Sequence, residues 1–322
     1  MRMAQPPVNG HPGNGGGEGS LEAPTRHALG WTDAEFWDDG ALARELGRVF
    51  DICHGCRRCF SLCNAFPVLF DHVDQSASGE AAALPREAQW EVVDHCYLCD
   101  MCYMSKCPYV PPHPWNVDFP HLMLRAKAVR LRNDGAPLRD RLLSSTNAVG
   151  RIAGIPVVAE AVNAVNRSRP ARRALQRLLG AHVDAVLPEF HADTFRRREA
   201  RRDKPTLAPR ATAATTGKVA LFVTCYCNRH EPDIAADLVA VLEHNGIPVA
   251  LAPRERCCGM PKLELGDLDA VAELKAFNIP QLAALVDDGH DILAPVPSCV
   301  LMLKRELPLM FPGDEAVRRV AA

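Results

Sequence analysis

The chain has 322 residues, which is enough for about two domains. Its 37 basic and 39 acidic residues nearly balance, so we predict no nucleic-acid partner. No window offers the roughly 18 uncharged apolar residues of a membrane span, since the best candidate, residues 152–165, is shorter and contains Glu160. We therefore expect a cytoplasmic protein, with peripheral docking on the inner face of a membrane left open.

The N-terminal part of the chain predicts a tail followed by a helix. Residues 1–27 include a glycine-rich stretch and lack the apolar core of a signal peptide, which is typical of a disordered tail. Thr32 and Glu35 have the spacing of a capping box. We therefore predict a helix that starts at Thr32 and carries an apolar face of Phe36, Leu42, Leu46 and Phe50.

Further helices are predicted between residues 64 and 135. One covers residues 85–93, and another is opened by Asp118 and Pro120 and runs through residue 131. Between them lies the proline-rich segment 108–114, which cannot be helical. Residues 28–135 are therefore predicted to form one helical domain.

A basic segment follows. Residues 125–204 contain 18 Lys and Arg against 8 Asp and Glu. Short helices are predicted over 156–165 and 171–179, the second capped by Gly180. The segment reads either as a solvated connector or as a docking surface for an acidic partner subunit or anionic lipid headgroups. With the low-complexity linker 208–216, it defines a connector over residues 136–216.

The last part of the chain alternates strands and helices. Such alternation predicts parallel strands with right-handed crossovers, that is, an α/β domain over residues 217–322. The predicted strands are 218–224, 247–251 and 291–296, and the predicted helices are 232–242 and 267–286, the latter interrupted near Pro280.

Eight of the thirteen cysteines form two runs of the same spacing, 43 residues apart. This spacing is that of a bacterial two-cluster ferredoxin, in which the fourth cysteine of each run ligates the other cluster. We predict one [4Fe–4S] cluster on Cys53, Cys56, Cys59 and Cys107, and a second on Cys96, Cys99, Cys102 and Cys63. An extra residue between Cys102 and Cys107, and Asn64 where proline is usual, depart from the plain pattern.

Zinc also binds paired cysteines, but its sites seldom insert a third cysteine at the same step. A disulfide framework does not suit a reducing compartment. The cysteine runs therefore indicate an electron carrier. Large side chains on the two runs are expected to pack around the clusters and to keep water away from them: Phe60, Tyr97, Met101 and Tyr103.

The other five cysteines follow the predicted strands. Cys225 and Cys227 follow the first strand, Cys257 and Cys258 come shortly after the second, and Cys299 follows the third. Ligands of open α/β sheets bind outside the carboxyl ends of the strands, so we expect these thiols to lie at one edge of the sheet. The alternative is that they are small apolar fillers of the core.

The sequence Cys257-Cys258-Gly259, with Cys225 upstream and Cys299 downstream, resembles a cysteine-rich CCG domain. Such domains occur in heterodisulfide reductases, in iron–sulfur subunits of glycolate and lactate oxidation, and in the C subunit of anaerobic glycerol-3-phosphate dehydrogenases. Residues 99–114, residues 118–126 and the step Pro297-Ser298-Cys299 are most similar to the last group. The resemblance covers the chain from about residue 30 to its end.

The resemblance implies an α+β multidomain protein, with a helical two-cluster ferredoxin domain followed by a Rossmann-like CCG domain. It implies an electron-transfer subunit that takes electrons from a flavoprotein dehydrogenase acting on glycerol-3-phosphate or a similar small substrate, and passes them to a quinone or other acceptor. The family usually has two CCG domains and a Cys-x2-Cys end, whereas this chain has one CCG motif and Met302 after Cys299. A further cluster, zinc or a reactive thiol pair at the CCG site all remain open.

The sequence also fits a second function, that of a thiol–disulfide or heterodisulfide reductase that uses the CCG cysteines. The adjacent Cys257 and Cys258 favour it, because low-pKa thiolates are good exchange partners. We favour the electron-transfer subunit because the sequence carries cluster ligands but no Gly-x-Gly-x-x-Gly dinucleotide motif for substrate oxidation.

Overall fold

The computed structural model describes residues 19–20, 22–105, 107–213 and 215–322, without the side chain of Ser105. Most of the predicted tail therefore lies outside the described residues. The chain divides into two compact units. The first unit contains residues 1–27 and 38–125, and the second contains residues 28–37 and 126–322.

The first unit is helical. Its elements are α1 (Asp39–Cys56), α2 (Ala65–Gln75), a 3-10 turn (Ala81–Ala83), α3 (Arg86–Asp94), α4 (Met101–Ser105) and the start of α5 (Phe119–Asp134). The core is aromatic, because Phe119 lies 6.2 Å from Phe50 and 4.8 Å from Phe66 between ring centroids. The helices predicted over 85–93 and 118–131 are confirmed as α3 and α5.

The predicted helix start at Thr32 is wrong. A 3-10 turn covers Ala34–Trp37, and α1 begins only at Asp39. Asp38 is extended at ψ 116° and its carboxylate accepts a hydrogen bond from the Ala41 amide at 2.5 Å, which makes it the N-cap. An aspartate in this position satisfies a free amide of the first turn, so the helix starts where that cap is available.

Helices also open the second unit: α6 (Leu138–Leu143), α7 (Thr146–Ala153), α8 (Pro156–Arg167), α9 (Arg169–Leu179) and α10 (Phe195–Arg201). The predicted helices at α8 and α9 are confirmed, and Gly180 caps α9 at φ 68°. Among the described residues, no single helix has the length and apolar character to cross a membrane. Only α7 and α8 taken together have that length and apolar character, and the two helices are bent by 105° relative to each other.

A small parallel sheet lies in the second unit. Its strands are β1 (Val219–Leu221), β2 (Val249–Leu251) and β3 (Asp291–Leu293), in the order β2-β1-β3. In the register, Val219 is paired with Val249 and Asp291. The three strands are where the sequence predicts them, although each is shorter. The chain is thus mostly helical with a small parallel sheet, which is compatible with the predicted α+β class.

The remaining helices are α11 (Cys225–Arg229), α12 (Pro232–His244), α13 (Met260–Leu265), α14 (Leu268–Asp287), α15 (Pro297–Leu301), α16 (Leu307–Met310) and α17 (Glu315–Ala321), with a π-helical turn at Met302–Glu306. The predicted break near Pro280 is wrong, since α14 runs through it. Proline removes one helical hydrogen bond there, but Ile279 and Leu282 on either side are each only 1% exposed, so their packing keeps the helix continuous.

Candidate iron–sulfur and thiol sites

The first cysteine run lies at the end of α1 and in the turn that follows. Cys53 and Cys56 occupy the last helical turn, which ends because Arg57 adopts a left-handed conformation at φ 49° and its amide bonds to the Cys53 carbonyl at 2.8 Å. Cys59 lies in the turn and Cys63 comes just before α2. The helix end thus places two cysteines one turn apart and directs the chain back toward them.

One cavity of the first unit is lined by Cys53, Cys56, Cys59 and Cys107, together with apolar side chains that include Phe66, Phe70 and Val117. Burial raises the pKa of the Cys53 thiol well above its usual value, and the charges of Cys107, Cys59 and Cys56 raise it further. The structure therefore brings the fourth cysteine of the second run to the first run. The donors are all sulfur, which fits an iron–sulfur cluster, the group predicted to bind there.

Cys107 receives hydrogen bonds from the backbone. The Tyr109 and Val110 amides lower the pKa of Cys107, but burial of the sulfur outweighs them and the pKa is raised. The Cys107 amide donates to the Cys102 carbonyl at 3.0 Å, which fixes the end of the second run. Amide donors of this kind are among the features that set cluster potentials.

The second run follows α3. Cys96 is buried, Cys99 is exposed, and Cys102 lies on α4. Burial raises the pKa of Cys102, and the charges of Cys96, Cys59, Cys53 and Cys63 add to this rise. Cys63 thus lies near the second run. The assignment of eight ligands to two clusters stays a prediction.

The predicted shielding side chains are mostly exposed. Phe60, Tyr97 and Met101 are 58%, 66% and 51% exposed, whereas Tyr103 is buried. The prediction is wrong for the first three because their side chains are directed to solvent. Apolar shielding comes instead from side chains of the helices, among them Phe66 and Phe70.

An ion-pair network beside the second run was not predicted. Arg26 is 10% exposed at its side chain and pairs with Asp100 at 2.5 Å and with Asp118 at 2.7 Å. Burial lowers the pKa of Arg26, but hydrogen bonds and charge from the two carboxylates outweigh it and the pKa is raised. The partners are 74 and 92 residues away in sequence, so no local spacing signals the contact.

In the second unit, four of the five remaining cysteines lie together. Cys225 opens α11 after β1, Cys257 and Cys258 precede α13, and Cys299 lies in α15. All four are near the carboxyl ends of strands, as the sequence predicts. Cys227 instead packs into the apolar core with Phe195, Leu221 and Val223, and burial raises its pKa.

The four sulfurs interact with one another in a chain. A hydrogen bond to Cys257, together with burial, raises the pKa of Cys225. Hydrogen bonds from Cys225 and Cys258 lower the pKa of Cys257. Cys258 in turn has a raised pKa because it bonds to Cys257 and Cys299. Of these three thiols, only Cys257 has a lowered pKa.

Two asparagines fix the backbone at this thiolate. The Asn147 side-chain oxygen accepts from the Cys257 amide at 3.0 Å, and the Asn278 side-chain nitrogen donates to the Cys257 carbonyl at 3.0 Å. Thr146 also lies beside the site, and its buried hydroxyl has no hydrogen-bond partner among the described residues. No sequence motif signals these residues, because Asn147 lies 110 residues before Cys257.

Met302 lies against the CCG glycine. It is buried, and its methyl carbon would be 3.3 Å from a Cβ added at Gly259, whose φ is 109°. Within the described ranges, no group of three or more His, Cys, Asp or Glu side chains is arranged to hold a single metal ion.

Comparison with known proteins agrees with this arrangement. Residues 219–304 match the CCG family, described as a cysteine-rich domain. This match includes all five cysteines of the second unit, and it confirms the resemblance that the sequence predicts.

Among individual relatives, the C subunit of anaerobic glycerol-3-phosphate dehydrogenase from Escherichia coli (strain K12) is 27% identical over 206 residues, 62% of this chain and 49% of that protein. Lactate utilization protein A of Exiguobacterium sp. is 32% identical over 100 residues, 31% of this chain and 40% of that protein. The chain thus spans about half the length, or less, of these relatives. No solved structure matches it.

Proposed function

We propose that the chain is an iron–sulfur electron-transfer subunit of a dehydrogenase system. It would take electrons from a flavoprotein subunit that oxidises glycerol-3-phosphate or a similar small substrate, and pass them to a quinone or other acceptor. The similarity to the C subunit of a glycerol-3-phosphate dehydrogenase supports this proposal. The observation that carries it is the cavity lined by Cys53, Cys56, Cys59 and Cys107.

In this proposal the two cysteine runs hold two [4Fe–4S] clusters, which supply one-electron redox chemistry. Cys53, Cys56 and Cys59 hold the first cluster with Cys107, and Cys63 completes the second. The helix end at Arg57 sets the spacing of the first run, and the amides of Tyr109 and Val110 direct hydrogen bonds to the Cys107 sulfur. Phe66 and Phe70 keep water from the cavity.

Exposed apolar side chains near Cys99 support contact with a redox partner. Cys99 is itself exposed, as are Tyr97 on the same loop and Met101 and Met104 on the adjoining α4. Large apolar groups that remain exposed on a protein surface often mark a protein contact, and methionine adapts readily to a partner's shape. A partner seated here would lie next to the second cluster.

Peripheral docking on an anionic membrane is also part of the proposal. In the helical segment from α6 to α9, Leu138, Leu143, Ile152 and Val157 are 81%, 58%, 62% and 75% exposed. Arg139, Arg167 and Arg169 lie in the same segment with 50%, 68% and 80% of their side chains exposed. Each of these arginines pairs with an acidic side chain of the same segment or of the residues just after it. Exposed apolar groups and basic groups on one helical segment suit an interface with acidic headgroups. Flotation with vesicles of phosphatidylglycerol tests it, and Ile152→Ser with Val157→Ser should reduce binding.

The first experiment is metal and sulfide analysis with electron paramagnetic resonance of anaerobically purified, dithionite-reduced protein. Two interacting [4Fe–4S] signals are expected. Cys107→Ser should remove one signal, and the matched variant Cys227→Ser, which changes a cysteine of the apolar core, should leave both. Zinc in place of iron, or no metal after reconstitution, would overturn the proposal. Iron beyond two clusters would assign a further cluster to the CCG site.

The hydrogen-bonded thiols favour a second candidate function, reduction of a disulfide substrate at the CCG site. The Cys257 thiolate would attack the disulfide, forming a mixed disulfide and expelling one thiolate, which takes a proton from solvent. Two electrons from the clusters and one further proton would then release the second product as a thiol and restore the Cys257 thiolate. Loss of disulfide reduction in Cys257→Ala, with electron transfer to a dye unchanged, would support this function. Unchanged disulfide reduction would exclude it.

A further inference from the structure

The residues before α1 include a segment that lies along the end of the second cysteine run. The Ser20 amide donates to the Pro108 carbonyl at 2.8 Å, and the Thr25 amide donates to the Pro111 carbonyl at 2.9 Å. The Tyr103 hydroxyl, on the same run, donates to the Thr25 carbonyl. These three bonds connect Ser20 and Thr25 to residues on both sides of Cys107.

Arg26 ends this segment in a buried position between two carboxylates. Its two terminal nitrogens donate to Asp100 at 2.5 and 3.0 Å, and it also donates to Asp118 at 2.7 and 2.9 Å. The guanidinium carbon lies 4.5 Å from the centroid of the Tyr103 ring. A planar guanidinium with four hydrogen bonds and a ring below it is fixed in both position and orientation.

Asp100 connects Arg26 to the cysteines. It lies between Cys99 and Cys102, it is 5% exposed, and its φ is 60°, a left-handed conformation that aspartate adopts more readily than most residues other than glycine. Its carbonyl accepts from the Met104 amide at 2.9 Å, which starts α4. The preceding Leu98 also has a positive φ, 51°. Arg26 is a contact from outside this loop that stabilises the loop conformation through Asp100.

We propose that Arg26 is a positioning residue for the second cysteine run. It holds Asp100 in the left-handed turn and so fixes the directions in which Cys99 and Cys102 present their sulfurs. The inference rests on the proposed function where it concerns a cluster. It also predicts an electrostatic effect, since the Arg26 guanidinium offsets two carboxylates beside that cluster. Loss of the positive charge makes the addition of an electron less favourable, because net charge is one of the features that set cluster potentials.

The test compares Arg26→Gln, Arg26→Lys and a matched control, Arg86→Gln. Arg86 also makes a two-bonded ion pair, with Asp39 at 2.7 and 2.5 Å, but in an exposed position outside both cysteine runs. Redox titration followed by electron paramagnetic resonance should give a lower midpoint potential for one cluster in Arg26→Gln. The midpoint potential of the other cluster should not change. Loss of iron to a chelator should be severalfold faster. Arg26→Lys should keep the potential but lose iron faster than wild type.

Arg86→Gln should match wild type in each measurement, and equal behaviour of Arg26→Gln and Arg86→Gln would overturn the inference. If wild-type protein binds no iron, the proposed function fails separately. The positioning role is then decided by mass spectrometry of alkylation at Cys99 and Cys102. Faster alkylation of these two cysteines in Arg26→Gln, with Cys227 unchanged as an internal standard, supports it, and unchanged rates contradict it.

Discussion

The Asn278→Ala variant tests whether the backbone of the CCG site depends on a single buried amide. Asn278 is 3% exposed; its oxygen accepts from the Arg256 amide at 3.0 Å and its nitrogen donates to the Cys257 carbonyl at 3.0 Å. Leaving a buried group without its partner costs about 1–3 kcal/mol. The hydrogen bond to the Cys257 carbonyl is buried, and the hydrogen bond to the Arg256 amide is partly buried. We therefore expect the free energy of unfolding of the second unit to fall by about 2–4 kcal/mol in total.

The control for this loss is Gln281→Ala, one turn further along α14. Gln281 also accepts from a backbone amide, that of Arg254 at 3.0 Å, but in an exposed position where water can replace it. We expect the free energy of unfolding of Gln281→Ala to stay within about 0.5 kcal/mol of the wild-type value. Urea unfolding read by alkylation of Cys227, which is 0% exposed, reports the second unit alone. Equal losses in the two variants would refute the assignment of Asn278 as the support of Cys257.

Three further variants test the packing and caps around the sites. Phe50→Ala should destabilise the first unit by about 3–5 kcal/mol, because the Phe50 side chain is 0% exposed. Its control is Phe60→Ala: the Phe60 side chain is 58% exposed, so stability in the same urea titration should change by about 0.5 kcal/mol or less. Gly259→Ala should lower the free energy of unfolding by about 1–3 kcal/mol, because alanine is strained at φ 109°. Its control is Gly313→Ala, where an added Cβ meets nothing within 4 Å. Asp314 caps α17 through the Ala316 and Val317 amides, and its bond to Lys275 lowers its pKa. Its stabilisation is therefore present above the unfolded pKa of about 3.9 and is lost as the pH falls through the lower folded pKa, so Asp314→Ala should lower the melting temperature at pH 7 by more than at pH 3.

The sequence predicted the features that are set by local patterns. The three strands are found at the predicted places because each is a short apolar run bounded by turn residues, and the cysteines follow them directly. The helices α8, α9 and α12 also lie where their start and stop signals place them. Four of the five CCG cysteines meet because parallel strands end at one edge of a sheet, a rule of topology that needs no knowledge of side-chain contacts.

Features set by distant contacts could not be predicted. Thr32 and Asp38 both offer a capping side chain, and only the packed structure selects Asp38. The sequence assigns Arg26 to the predicted disordered tail, because its partners Asp100 and Asp118 lie 74 and 92 residues away and no local pattern indicates the contact. Cys227 has the same local signal as Cys225, but the turn after β1 directs it into the apolar core.

The two cysteine sites differ in what their sulfurs contact, and this difference bears on their chemistry. At Cys53 and Cys102, neighbouring cysteines act through charge around a cavity, and at Cys107 the hydrogen bonds come from backbone amides. These sulfurs point toward a shared space and suit a bound cluster. In the CCG site, the free cysteines Cys225, Cys257 and Cys258 shift one another's pKa, and the pKa of Cys257 is lowered. A lowered pKa favours thiol exchange at Cys257, because the thiolate is the form that attacks a disulfide.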